Sequence, residues 1–141
     1  MTKKEMHEAM RWSAAEDAEF RHEFPRLHAD VKRGSTWSMD HVSCGGGWRM
    51  LIQRVFLLAE RDPDVRVCQI KEKWGSLRIY LDYPGEKSAI ALAVTQAQEE
   101  SESTCEACGA VGDLARLASG WVKALCVSHM PDGAVALPAI S

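Results

Sequence analysis

The chain has 141 residues, of which 46% are hydrophobic and 26% charged, and it carries a formal net charge of −3 at pH 7. That length suits one ordinary domain, or a core with one small satellite, and leaves no room for a second large domain. The composition excludes a disordered chain, the acidic balance excludes a protein that coats nucleic acid through a general excess of Lys and Arg, and no apolar run approaches the ~20 residues of a membrane span.

Residues 3–23 are rich in Glu, Ala, Met, Lys and Arg and hold no Gly or Pro, so they predict a first helix with a thin stripe of Met6, Met10 and Ala14. Their basic residues have no apolar run behind them, so a secretory leader is not expected and a cytoplasmic protein is. Residues 26–46 mix turn formers with Trp37, Met39 and Val42 and predict an ordered loop. From Trp48, the apolar positions 48, 51, 52, 55, 58 and 59 follow helical spacing and predict an amphipathic helix that ends at Arg61-Asp62-Pro63-Asp64. Residues 65–74 are β-rich. Beyond them, Leu77, Ile79, Leu81 and Tyr83 alternate with Ser76, Arg78, Tyr80 and Asp82, predicting a hairpin that turns near Gly75. After Pro84-Gly85, a stripe of Ile90, Val94 and Ala97 predicts a helix to about residue 101.

The next segment, CEACGAVGDLARLASGWVKALCVSH at 105–129, sets a CxxC pair at one end and a CxxH pair at the other. Five cysteines are an odd count for a disulfide framework, and two matched pairs point to metal ligation. Two residues between paired ligands let a tight turn present both to one ion, so Cys105, Cys108, Cys126 and His129 are the candidate ligands of a Cys3His zinc site. Gly109 eases the turn after the second thiolate. Four protein ligands close the coordination sphere, which makes the expected Zn2+ structural and not catalytic. Zinc-dependent base deaminases would need an HxE motif upstream of the CxxC, and none is present. Strands at LARLA (114–118) and WVKAL (121–125), turning at Ser119-Gly120, are expected between the ligand pairs. Residues 102–141 hold four acids and two bases, the wrong sign for a DNA-reading finger.

The motifs FPRLHAD, CGGGWRMLI, QIKEKWGSLRIYLD, TCEACGAVG and GWVKALC, with a final His, resemble a family of small zinc-binding proteins found mainly in tailed phages and prophages. The match covers roughly residues 20–129. Trp74 stands where that family usually has Phe, and Gly46 where its loop often carries an acid. The resemblance implies a zinc-binding α+β protein at work in a host bacterial cytoplasm, with the same four ligands and no settled activity.

Other candidates are weaker. SCGGGW at 43–48 lacks the lysine of a phosphate-binding loop and reads as a tight helix entry. Asp40, His41 and Cys44 have the residue types of a thiol nucleophile and its base, but sequence neighbours seldom form such a pair. Arg66, Lys71, Lys73 and Arg78 surround Trp74 on the hairpin; they are the candidate partner-binding residues, against a solvated strand with Trp74 packed inward. Trp48 and Trp121 each open a regular element and are expected in the core.

The expected architecture is α+β: helices packed on a small antiparallel hairpin or sheet over residues 1–102, and a C-terminal zinc knuckle of zinc-ribbon or treble-clef type over 103–141, packed on that core. The expected function is non-enzymatic: binding of a host protein or ribonucleoprotein complex, with inhibition of bacterial defence, as by an anti-CRISPR protein, the specific form. The alternatives are a nucleic-acid-binding accessory protein of phage replication or transcription and, third, a small hydrolase or nuclease. No membrane partner is expected.

Overall fold

A computed structural model describes residues 4, 5, 8, 10–29 and 42–138. The helix expected across residues 3–23 is interrupted. Residues 4, 5 and 8 are helical, the chain leaves the helix at 10–13, and α1 begins afresh at Ala14–Glu23. Ser13 causes the restart: its hydroxyl accepts from the Glu16 N–H at 3.2 Å, and the Glu16 carboxylate accepts from the Ser13 N–H at 3.1 Å. This reciprocal cap satisfies two donors that a continuous helix would bond otherwise.

Part of the loop expected over 26–46 is regular. Pro25–Ala29 forms α2, Val42–Ser43 forms β1, and Gly46–Trp48 is a 3-10 turn. Met6, Trp37, Met39, Asp40 and His41 lie outside the described residues. Arg26 ties α2 down. Its guanidinium donates to the backbone carbonyls of Ala59, Glu60 and Val65, and its N–H meets the Glu60 carboxylate at 2.7 Å. A cation thus caps the carboxyl end of the next helix.

That helix, α3 (Arg49–Glu60), buries Leu51, Ile52, Val55, Phe56 and Ala59. Leu58, expected on the core face, is exposed and Phe56 takes the position, because residue 56 lies one turn after Ile52 whereas 58 falls off the stripe. Strands β2 (Arg66–Lys73) and β3 (Ser76–Asp82) pair antiparallel as expected. Trp74 and Gly75 form the two-residue turn, both with positive φ (55° and 78°), which matches the twist of a tight hairpin. A register shift between Val67 and Gln69 leaves Cys68 as a bulge, and β1 adds to β2 in parallel. Helix α4 (Ser88–Ser101) buries Ile90, Ala97 and Ser101, and the Ser101 hydroxyl accepts from the Leu77 N–H at 2.8 Å. The hydrophobic core lies between these helices and the β2–β3 sheet, with Trp48 fully buried as expected. Phe20, Phe24 and Phe56 meet there with ring centroids 5.3–5.5 Å apart.

A second sheet follows, ordered β5-β4-β6 from β4 (Asp113–Arg116), β5 (Val122–Leu125) and β6 (Val135–Ala136), all antiparallel. The hairpin tip of the first sheet abuts it: a Cβ on Gly75 would lie 2.5 Å from the Leu114 side chain and 3.3 Å from Val122. The fold is therefore α+β with helices and small, mainly antiparallel sheets, and no helix of the described residues is long and apolar enough to cross a membrane.

Candidate metal centre and the cleft beside it

Each ligand sits at the end of a backbone feature that fixes it. Cys105 follows α4, and its N–H donates to the Ala110 carbonyl at 2.7 Å; its own carbonyl accepts from Gly109 at 2.8 Å, closing the knuckle around Cys108. Gly109 has φ 83°, a conformation that disfavours any side chain. Cys126 directly follows β5, and a 3-10 turn, Val127–His129, brings His129 back over it, with the His129 N–H on the Cys126 carbonyl at 3.1 Å.

The four side chains converge, with all four donor atoms within 4.8 Å of one another. Cys108 Sγ lies 3.7 Å from Cys126 Sγ, and His129 Nδ1 lies 3.8 Å from Cys105 Sγ and 3.2 Å from Cys126 Sγ. A tetrahedral ion with ~2.3 Å bonds to sulfur and ~2.0 Å to nitrogen gives edges of about 3.8 and 3.5 Å. The residues present thus fit a metal ion, with Nδ1 as the imidazole ligand. Cys105 and Cys126 are buried, and Cys108 is exposed.

As free thiols the ligands are unequal. Burial pushes Cys105 up to about 11. At Cys126 burial works in the same direction, but hydrogen bonds from His129 and Cys108 outweigh it and hold the thiol at about 6. Metal uptake at neutral pH must therefore expel the Cys105 proton. Apparent affinity is expected to fall as pH is lowered from about 8 to 6, checked by competition with a chromophoric chelator; affinity flat with pH would show that the thiolates are not the ligands.

Between the paired cysteines lies Glu106, 1% exposed and unforeseen as a site residue. Its Oε2 accepts from the Gly45 N–H at 3.0 Å, its carbonyl accepts from Gly47 at 2.9 Å, and its N–H donates to Ala124 at 2.9 Å. Two residues earlier, the Thr104 carbonyl accepts from the Trp48 indole at 2.9 Å. SCGGGW is therefore a tight helix entry pressed against the knuckle: a Cβ on Gly47 would overlap the Cys105 carbonyl and lie 2.6 Å from that of Glu106.

Lys123 completes the seam, its ammonium 2.8 Å from Glu72 and 3.4 Å from Glu106. Burial raises the Glu106 carboxyl, and the neighbouring Lys123 charge opposes that shift. These groups floor a cleft of about 410 Å3 that is also lined by Cys44, Trp12 and Trp121. Cys44 is buried, and burial first, then the Glu106 charge, holds its thiol well above the ordinary value. A thiol kept protonated is a poor nucleophile. Its expected partners Asp40 and His41 lie outside the described residues.

The expectation that Trp121 lies in the core is overturned, and so is the alternative that packed Trp74 inward. Trp74 is 66% exposed, because its left-handed turn conformation carries the indole clear of the sheet, and Trp121 is 47% exposed directly after the Gly120 turn. The two wall a pocket of about 240 Å3 with Glu72, Val122 and Lys123. Arg66, Lys71, Lys73 and Arg78 all lie on β2–β3. Comparison of the chain with models of protein families, with curated proteins and with solved structures finds no match.

Proposed function

We propose that this chain is a zinc-braced binding protein that acts by contact and not by chemistry. Three thiolates and one imidazole favour zinc over harder cations, and four protein ligands leave no open position for water or substrate, which favours a structural ion. The observation that carries the binding reading is the exposed pair Trp74 and Trp121, beside each other at the junction of hairpin and metal-bearing sheet. Exposed indoles sacrifice burial free energy in the isolated chain and recover it in an interface, where Trp is enriched among the residues that dominate affinity. The resemblance to phage proteins supplies the rest of the reading: a host protein or ribonucleoprotein complex as partner, in the bacterial cytoplasm, with inhibition of a defence system as the specific outcome.

The test is affinity capture from bacterial lysate by the tagged, zinc-loaded protein, beside the Trp74→Ala/Trp121→Ala variant. A captured complex that falls by at least about thirtyfold in the variant, at unchanged zinc content, is the expected result. Equal capture by both proteins would remove the indoles from the interface and refute the reading.

A further inference from the structure

Strand register gives the β2–β3 hairpin two unlike faces. Val67, Ile70, Leu77 and Ile79 are buried in the core. Lys71 stands opposite Arg78, Gln69 opposite Tyr80, Lys73 opposite Ser76, and Arg66 opposite Asp82. Side chains alternate along a strand, and the bulge at Cys68 resets that alternation, so Arg66, Lys71, Lys73, Arg78 and Tyr80 share the other face. Four cations and one acid thus gather on one surface of a chain whose net charge is −3.

Five cations elsewhere have carboxylate partners that these lack. Elsewhere Arg21 pairs with Asp17, Arg49 with Glu19, Arg54 with Glu100, Lys87 with Asp62 and Lys123 with Glu72. Among the described residues, none of Arg66, Lys71, Lys73 and Arg78 makes an ion pair. Arg78 in addition holds a buried Nε with no hydrogen-bond partner. The Lys71 ammonium lies 5.7 Å from the centroid of the Tyr80 ring, which is itself 43% exposed, and Trp74 stands at the tip. A cluster of like charges repels itself and is relieved by a polyanion.

We propose that this face is a docking platform for single-stranded nucleic acid, an inference that rests on the reading above that the protein acts by binding. Lys71, Lys73, Arg66 and Arg78 meet the phosphates, and bases stack on Tyr80 and Trp74. Unpaired bases offer planar faces to such rings, whereas a duplex keeps them inside its stack, and an acidic peptide would answer the charge but leave the rings unused. DNA and RNA share this chemistry.

The test is fluorescence anisotropy of the zinc-loaded full chain with labelled single-stranded DNA and RNA of about 12 nucleotides, within the span of known single-strand sites, and with the matching duplex, over a range of salt. Expected is preferential binding of single strands. The slope of log K against log salt should flatten by about 2 in Lys71→Ala/Lys73→Ala/Arg78→Ala. Tyr80→Ala should lose roughly 5- to 100-fold in affinity with its salt slope unchanged. Preference for one of the two single strands identifies the natural ligand class. No single-strand binding at low salt, equal binding of duplex, or variants that match the parent chain would overturn the proposal. Nuclease-resistant, indole-dependent capture of a protein partner without any oligonucleotide binding would overturn it too, while leaving the binding function above intact.

Discussion

Replacing Cys105 with Ser is expected to abolish stable zinc binding and to unfold the sheet built from β4, β5 and β6. A closed zinc site contributes an apparent ~10–16 kcal/mol in small zinc modules, as large as the whole ~5–15 kcal/mol margin of a domain. Besides the metal, the sheet leans on the main core through Ala124 and on the Lys123–Glu72 pair. Its own cluster of buried residues is Cys105, Leu117, Leu125 and Cys126, and two of those four are candidate ligands. The damage should spread, because Glu106 and Thr104 carry the hydrogen bonds to Gly45, Gly47 and Trp48 at the entry to α3. Zinc content by mass spectrometry should drop from one ion per chain to none, and amide protection in β4 and β5 should vanish. Cys68→Ser, which alters the bulge of β2 and no ligand, should change neither. Full protection in Cys105→Ser would mean that packing and not metal holds the sheet.

Lys123→Ala is expected to produce the second large effect, a loss of about 3–5 kcal/mol, which lowers the melting temperature by roughly 10–20 °C. Lys123 is the cation that Glu106 faces at 3.4 Å, and the Glu106 side chain is 1% exposed, so its removal leaves a carboxylate buried without a counter-charge. The arithmetic of burial makes the broken pair worse than no pair. Adding Glu106→Gln should therefore recover much of the loss, since the amide can still accept from the Gly45 N–H. Urea denaturation of the single and double variants checks both statements. A loss below about 1 kcal/mol for Lys123→Ala would show that water reaches Glu106 and screens it.

What the sequence reveals here tracks how local the deciding interaction is. The ligand set is carried by spacing within two short turns, and the hairpin by alternation on both sides of a two-residue turn; the structure has both where the sequence puts them. The break before α1 is also local. The Ser13-Ala14-Ala15-Glu16 cap is legible in the sequence, but the helix-forming composition on both sides masks it. Glu106 is different. Its partner Gly45 lies 61 residues away, and no local pattern says which backbone a carboxylate between two metal ligands will cap. Lys123 gives a signal of a kind, as the one charged residue within the apolar strand Val122–Leu125, every residue of which is buried. A buried lysine requires a carboxylate, but only tertiary structure says that it has two. The tryptophans divide for a third reason. Hydrophobicity predicts burial on average, and it holds for Trp48, which lies on a helical stripe, but a left-handed turn sets Trp74 outside any stripe. Alternation in the sequence sets Tyr80 opposite in phase to Leu77, Ile79 and Leu81, but its company of cations emerges only from cross-strand register.

Zinc K-edge X-ray absorption of the purified chain tests the central claim, a closed metal site that braces a binding surface, most directly. The account predicts one bound zinc with three sulfur neighbours at ~2.3 Å, one nitrogen at ~2.0 Å and no water oxygen in the shell. A shell with fewer than three sulfurs and a bound water would mark an open, reactive zinc, and would contradict both the ligand set and the reading of this protein as one that works by contact.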